Sequence, residues 1–338
     1  MKKQQFKIFL FFYFIVLNSV HSQYTEVINS NKPGFSESPY SVGTGVYQFE
    51  SNYFFRNTSI EPPFSRPQSS GFDLLFRTSF FLEKLELNAQ VTYQKEKIAF
   101  KNIFTSHYFE SGLSRVNIGA KFLLYQQEYE DKNKEVRSWK RRFAFDKRRL
   151  IPSVALYAGM NTDFVNEINK TGSISPKAGI LLQNNLSDDF NLITNFFYDK
   201  IGTDFEEYSY IVTGTFNFGS RWSSFFENQA IFQKNRNTFN IGTGLAFLYN
   251  KNLQINTSGR FLSEGAATGF YASFGVSYRI NKHNDSYKEL DDNGKELKDT
   301  PITRYNKKRN GFFSRLFSIF TKKNSKSSKN RPKRKRSN

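Results

Sequence analysis

Few side chains in this sequence have types suited to covalent or metal chemistry. The chain has 338 residues, no cysteine and three histidines, His21, His107 and His283. Without cysteine, disulfides, thiolate metal sites and cysteine nucleophiles are excluded. The last two histidines are followed by Tyr108-Phe109 and Asn284-Asp285, so neither begins a His-x-Ser motif, in which an imidazole activates a hydroxyl. Gly-x-Ser-x-Gly elbows and phosphate-binding loops are also absent. We therefore predict no enzyme activity, no catalytic residue, no metal and no cofactor.

The other candidates are charged side chains at alternate positions of otherwise apolar segments. They are Glu50, Asp73, Arg77, Glu86, Arg115, Lys121, Glu227, Arg260 and Arg279. On one interpretation they line a polar path and select solutes by charge. On the other they pair with each other across a filled interior and hold the structure together. The sequence does not place their partners, so both interpretations stay open at this point.

These charges lie in segments that alternate as β-strands do. From 268 to 280, Phe270, Phe274 and Tyr278 share one face, whereas Ser273 and Gly275 lie on the other. The same period of two recurs in segments of about ten residues back to Val46. We predict twelve strands, at 46–55, 71–81, 85–94, 113–125, 153–161, 176–186, 191–199, 207–218, 222–232, 238–249, 253–262 and 268–280.

Composition favours a transmembrane barrel over a soluble sandwich, which shows similar alternation. Aromatic residues make up 17% of the chain, yet the mean hydropathy is −0.59. A barrel reconciles the two values because only every second strand residue faces lipid, and closure satisfies every backbone group. We expect an all-β, antiparallel transmembrane β-barrel. Its interior is either a narrow pore or is plugged by side chains and the N-terminal segment.

Connection lengths support the barrel, because its periplasmic turns are short and its outer loops longer. Short turns follow the second, sixth, eighth and tenth predicted strands, at 82–84, 187–190, 219–221 and 250–252. Long connections follow the first, third and fifth, at 56–70, 95–112 and 162–175. The basic loop 126–152 departs from this alternation.

The ends of the chain predict export. Residues 1–22 have a lysine-rich start, an apolar run at 8–17 and a small-residue cleavage site, as a signal peptide does. The alternative, an N-terminal anchor, requires a longer apolar run. We predict a lead-in at 23–45, the barrel at 46–280 and a periplasmic tail at 281–338. An even strand number places both mature termini in the periplasm and the barrel in the outer membrane.

The lead-in carries a family resemblance. Residues 31–50 read NKPGFSESPYSVGTGVYQFE, which resembles the start of the outer-membrane family "Putative MetA-pathway of phenol degradation". Lys32 stands where that family usually has Arg, and Gly45 to Glu50 match its entry into the first strand. The strand layout agrees over roughly 30–280. The resemblance implies a transporter-like barrel for small molecules, hydrophobic or aromatic ones included.

The tail is strongly basic. Residues 301–338 contain fourteen Lys/Arg and no Asp/Glu, and 281–300 contain four basic and six acidic residues, which leaves +12 of the chain's net +19 after Ile280. Residues 311–323 have helical apolar spacing and predict a short amphipathic helix. Candidate contacts with a membrane surface or partner are Phe313, Arg315, Phe317, Phe320, Lys333, Arg334, Lys335 and Arg336.

Two functions follow from these patterns. The first is an outer-membrane channel for passive uptake of small molecules. The second is a non-conducting envelope anchor or interaction protein that uses its basic tail. Partners of the tail would be anionic lipid, cell wall or an acidic protein, or the tail is solvated with no fixed partner. Nucleic acid is not expected, because a signal peptide precedes the basic run.

Overall fold

Alternating apolar and polar residues fold this chain into a single closed sheet. The computed structural model describes residues 27–58, 68–80, 82–99, 107–128, 146–234, 236–264 and 267–282. The strands are β1 Val46–Thr58, β2 Gln68–Thr78, β3 Leu85–Ala99, β4 His107–Tyr125, β5 Ser153–Asn161, β6 Ser175–Asn185, β7 Phe190–Asp199, β8 Glu207–Phe218, β9 Trp222–Gln233, β10 Arg236–Asn250, β11 Leu253–Glu264 and β12 Ala267–Asn281.

Each strand pairs antiparallel with its neighbours in sequence, and β1 pairs with β12 to close the barrel. The closing register runs from Val46 opposite Asn281 to Thr58 opposite Gly269. Closure leaves no free strand edge, so every strand has a hydrogen-bonding neighbour on both sides. The predicted twelve-strand antiparallel barrel is confirmed.

The two faces of the sheet differ in the way the alternation predicts. Aromatic side chains cover the outside, among them Phe72, Phe226 and Phe274, which are 59%, 60% and 57% exposed. Neighbouring strands pair these rings, as in Phe49 with Phe76 at 4.9 Å between ring centroids. The inward positions carry polar and charged residues, most of them buried. An apolar outer surface of this kind suits hydrocarbon and would be unfavourable in water.

Most strand bounds agree with the predictions, and β5 and β8 coincide with them. The largest differences are in β3 and β4, which extend five and six residues further than predicted, to Ala99 and from His107. A bulge between Thr92 and Tyr93 shifts their register, so that Thr92 lies opposite Arg115 and Tyr93 opposite Leu113. The bulge interrupts the period of two in β4, which is why the alternation underestimates its length.

The connections distinguish the two ends of the barrel. We call the end at which β1 begins and β12 ends the terminus end, and the other the loop end. Tight turns join strands at the terminus end, and at one of them Gly219 has φ +78°, a left-handed conformation that favours glycine. Short 3-10 helices occur at Lys147–Leu150 and Glu167–Asn169. No helix in the ranges given above is long and apolar enough to cross a membrane.

Candidate functional site

The lead-in folds into the barrel. We call residues 27–45 the lumen segment. Near its start, the N–H of Ile28 donates to the carbonyl of Lys251, 2.9 Å away in the β10–β11 turn at the terminus end. Near its end, Thr44 forms a parallel bridge with Ser79, again at the terminus end. Between these points the segment enters the lumen and returns, and Lys32, Ser36 and Ser38 along it are buried.

A chain of charges crosses four adjacent strands of the inner wall. On β2, Arg77 lies 3.0 Å from Glu50 of β1 and 2.9 Å from Glu86 of β3. On β4, Lys121 lies 3.0 Å from Glu86. All four side chains are 0% exposed. A buried charge costs several kcal/mol unless it is paired, and here every member has a partner of opposite sign.

The lumen segment satisfies what remains of this network. One oxygen of Glu50 accepts hydrogen bonds from the backbone N–H groups of Asn31 and Lys32, at 3.0 and 3.1 Å. An oxygen of Glu86 accepts one from the N–H of Val42 at 3.0 Å. In the other direction, Arg77 donates to the carbonyl of Asn29 at 2.8 Å and Lys121 to that of Ser38 at 2.7 Å. The wall therefore recognises backbone groups of the segment.

A second charged pair holds the tip of the segment from the opposite wall. Arg260 of β11 donates to Glu227 of β9, and Glu227 also accepts the N–H groups of Phe35 and Ser36 at 3.0 and 3.2 Å. The Arg260 guanidinium lies 3.6 Å from the centroid of the Phe35 ring. Its other nitrogen donates to the carbonyl of Pro33 at 3.2 Å. A cation–π contact of this kind strengthens when it is desolvated.

Lys32 contributes a charge of its own. Its Nζ lies 2.6 Å from Asp73 of β2, which also accepts hydrogen bonds from Gln90 and Thr92. Burial by itself lowers the pKa of Lys32, but Asp73, together with Tyr271 and Glu50, more than offsets this, so the pKa lies above its ordinary value. With Lys32 included, four bases face four acids in the interior, and the network is formally neutral. These are Lys32, Arg77, Lys121 and Arg260 against Glu50, Asp73, Glu86 and Glu227.

The last two predicted charges lie elsewhere. Arg279 is at the terminus end, where its Nε donates to the side chain of Asn252 at 3.1 Å. Arg115 faces a cavity at the loop end. In the described part of the chain, the side chain of Arg115 has no hydrogen bond and no ion pair. The structure thus joins seven of the nine predicted residues into paired networks and leaves these two outside them.

Two cavities flank the lumen segment. The terminus-end chamber, about 560 Å³, is lined by the lumen segment and by strands β6 to β11, with neutral polar side chains such as Asn191 and Thr213 among them. The loop-end chamber, about 420 Å³, contains Arg115, Lys177 and Phe197. Asn31, Lys32, Gly34 and Ser36 line both chambers. The lumen segment therefore lies between a space that opens toward one end and a space that opens toward the other.

Comparison with known proteins identifies the family. The model of the family described as "Putative MetA-pathway of phenol degradation" matches residues 30–280. The chain belongs to this family. The matched range starts within the lumen segment and ends in β12, so it contains the network above, and the resemblance noted in residues 31–50 is confirmed.

Several solved structures have a fold similar to that of this chain. An outer membrane channel from Pseudomonas putida F1 matches with a TM-score of 0.53 at 9% identity, over 75% of this chain and 100% of that one. The NanC porin matches with a TM-score of 0.45 at 8% identity, over 69% and 100% of the two chains. The transport unit of the autotransporter AIDA-I from Escherichia coli gives 0.43 at 10%, over 75% and 93%. No curated protein matches the sequence.

Sequence reasoning left open whether the N-terminal segment plugs the lumen, and it did not identify the residues of the segment that bind the wall. Tyr40 belongs to a buried apolar cluster that includes Leu181 and Phe197, and its hydroxyl lies 2.8 Å from that of Ser153. Asn195 exchanges two hydrogen bonds with the backbone of Glu37, at 2.7 and 2.9 Å. A signal did exist, because the lead-in has many turn formers and few long apolar side chains, and such a chain can occupy a polar interior.

Several predictions fall outside the described residues. They are the signal peptide 1–22, most of the basic loop 126–152, the helix 311–323 and the tail contacts Phe313, Arg315, Phe317, Phe320, Lys333, Arg334, Lys335 and Arg336. Within the described ranges, no cluster of His, Asp and Glu has the arrangement of a metal site.

Proposed function

We propose that this protein is an outer-membrane channel for the passive passage of small molecules. The observation that carries this proposal is the pair of chambers on either side of the lumen segment, inside a closed barrel with a polar interior. A barrel that served only as an anchor has no need of an interior that opens toward both ends. Membership of the phenol-degradation family supports a transport role for small, hydrophobic or aromatic solutes.

The outer membrane is the proposed location. The exposed rings of Phe72, Phe226 and Phe274 give the barrel a lipid-compatible exterior. A signal peptide at 1–22 would deliver the chain to the periplasm. In the proposed orientation the terminus end faces the periplasm and the loop end faces outward, because tight turns belong on the periplasmic side.

In this channel, the inner-wall charges do not form a continuous charged path for solutes. Glu50, Glu86 and Glu227 are paired with cations of the wall and also accept backbone N–H groups of the lumen segment, so they are not free to bind a passing solute. Solute selection then depends on the space that the segment leaves and on the residues of the two chambers. We infer that the lumen segment sets the size limit of the channel.

Single-channel conductance in planar bilayers tests the proposal. The chain from residue 23 onward should give small, steady, ohmic steps. The same chain lacking 27–42 should give larger steps, because the chambers would merge. The matched control is the substitution Glu167→Gln at an exposed position in the β5–β6 connection, which should leave conductance unchanged. A folded barrel that is silent both with and without the segment would overturn the channel proposal.

The second candidate, an envelope anchor, is favoured by one specific observation. The central network is formally neutral, buried and filled by the lumen segment, as expected of an interior built for stability. The barrel would then hold the basic tail against anionic lipid, cell wall or an acidic protein in the periplasm. Crosslinking through a photoreactive residue at Phe317, compared with the chain that ends at 300, tests it. Silence in bilayers together with a tail-dependent crosslink would favour the anchor over the channel.

A further inference from the structure

The loop-end chamber has the features of a ligand site. It opens on the side of the lumen segment that faces away from the termini, and it is distinct from the neutral network at the centre of the lumen. Arg115 projects into it from β4, and Lys177 from β6, two strands away. Both side chains retain some exposure to the chamber, unlike Arg77 and Lys121, which are fully buried.

Arg115 is an inward-facing cation of β4. Among the described residues, its side chain forms no hydrogen bond and no ion pair. A guanidinium presents donors in a planar fork, which matches the two oxygens of a carboxylate. Elsewhere on the inner wall of β1 to β4, a buried guanidinium is paired with a carboxylate, as Arg77 is with Glu86. An inward arginine side chain without such a pair is therefore a candidate for binding a ligand.

Lys177 adds a second positive charge beside an aromatic surface. Its Nζ lies 4.5 Å from the centroid of the Phe197 ring and 5.4 Å from that of Tyr157. The nearest acid, Asp199, is 3.8 Å away, a distance at which no hydrogen bond forms. The other oxygen of Asp199, Oδ1, accepts hydrogen bonds from Asn161 and from the N–H of Lys200, at 2.5 and 2.8 Å. Lys177 therefore keeps its donors for another acceptor.

The wall beside these cations is apolar. Phe197 of β7, Ile211 of β8 and Ile231 of β9 are inward residues on three consecutive strands, and all three line the chamber. Among the acids of the chamber, Glu207 binds Lys200 at 3.4 Å and Gln233 at 2.6 Å. A carboxylate oxygen of Glu37, at the tip of the lumen segment, is itself inaccessible to solvent. The open side of the chamber thus offers positive charge next to an apolar surface.

We propose that the loop-end chamber binds small aromatic carboxylates, with the carboxylate on Arg115 and Lys177 and the ring against Phe197. This inference rests on the proposed channel function, because a bound solute would be one on its way through the barrel. It extends that function by naming the charge of the solute, which neither the fold nor the family description specifies.

Binding of benzoate to the folded barrel in detergent micelles, measured by isothermal titration, tests the inference. Benzyl alcohol is the neutral probe of the same size. Arg115→Gln and Lys177→Gln each remove one chamber charge, and Lys147→Gln, at an exposed position near the terminus end, removes an equal charge elsewhere. Heat-modifiable gel mobility checks that each variant is folded. The use of two chamber variants keeps the test decisive if one of them does not fold.

We expect the Arg115→Gln and Lys177→Gln substitutions each to weaken benzoate binding about tenfold or more, as loss of a charged hydrogen bond does. Lys147→Gln should leave benzoate affinity unchanged, and benzyl alcohol should bind all variants alike. Wild-type protein that binds benzoate no better than benzyl alcohol would overturn the inference, and so would equal benzoate affinity in a folded chamber variant and the wild type. Isothermal titration does not depend on conduction, so the two proposals can fail separately. Benzoate binding by a barrel that does not conduct would refute the channel alone. Ohmic steps without benzoate binding would refute the chamber site alone.

Discussion

Arg77 and Glu86 form a two-bond fork inside the barrel. Nε of Arg77 donates to one carboxylate oxygen at 2.9 Å and a terminal nitrogen donates to the other at 3.0 Å. Both side chains are 0% exposed. The fork joins β2 to β3, and its two members also bind the lumen segment, through the carbonyl of Asn29 and the N–H of Val42. One ion pair thus connects the wall of the barrel to the segment within it.

Substituting Arg77→Met should destabilise the barrel strongly. Glu50 and Glu86 would then be buried with one fewer cation, and breaking a buried ion pair costs about 3–5 kcal/mol. Urea unfolding followed by tryptophan fluorescence in micelles would measure the change. Arg221→Met, at an exposed turn position, is the control and should have little effect. An equal midpoint for Arg77→Met and wild type would mean that the network contributes little to stability.

Lys32 offers a test of how the lumen segment is held. Lys32→Met leaves Asp73 buried without its cation and should release this part of the segment. If the segment stays in place, the free energy of unfolding should fall by about 3–5 kcal/mol. Lys32→Arg keeps the charge and should behave like wild type. Protease cleavage within residues 27–45 reports release of the segment. Equal cleavage in Lys32→Met and Lys32→Arg would show that the ion pair does not hold it.

The same pair predicts a pH dependence. The folded-state pKa of Lys32 is raised above the ordinary lysine value of about 10.4. Its stabilisation is therefore fully present below that ordinary value and is lost only as the pH rises through the folded pKa. Wild type should retain protease resistance of the lumen segment from neutral pH to about 10. Cleavage that increases already between pH 7 and 9 in wild type, but not in Lys32→Met, would contradict this.

The outer face can be tested with a charge at Phe274. Its side chain is 57% exposed in the barrel and faces the proposed lipid. Phe274→Arg should cost about 2–4 kcal/mol if the site lies near the middle of the bilayer. Phe164→Arg, at a position 80% exposed in the β5–β6 connection, introduces the same side chain outside the strands and should cost far less. Unfolding midpoints in lipid vesicles give the comparison, and similar losses for both would argue against the membrane assignment.

Removing residues 301–338 should leave the barrel folded. Every pair that closes the sheet, from Val46 with Asn281 to Thr58 with Gly269, precedes the deleted residues. The heat-modifiable gel shift should therefore be the same in the full and the shortened chain. If the shift disappears on deletion, the tail takes part in folding in a way that the strand pairing does not explain.

The sequence by itself determined the sheet. Alternation is a local property, since adjacent residues of a strand face opposite sides, so the composition of each face can be read without knowing the partner strand. That is why twelve strands, the outward position of Phe274 and the inward position of Glu227 followed from the pattern alone. One exception, the longer β4, came from a bulge, which depends on the pairing of Thr92 with Arg115.

Only the tertiary structure decided what fills the lumen. The hydrogen bonds from Phe35 to Glu227 join residues 192 positions apart, and Arg260 reaches Pro33 across 227. Contacts at such separations depend on the curvature and register of the whole barrel, which alternation does not encode. The same geometry decided that Arg77 is paired and Arg115 is not, although both are arginines at inward strand positions. Charge type and strand face are local and readable, whereas the partner of a charge is set by which strands closure brings opposite each other.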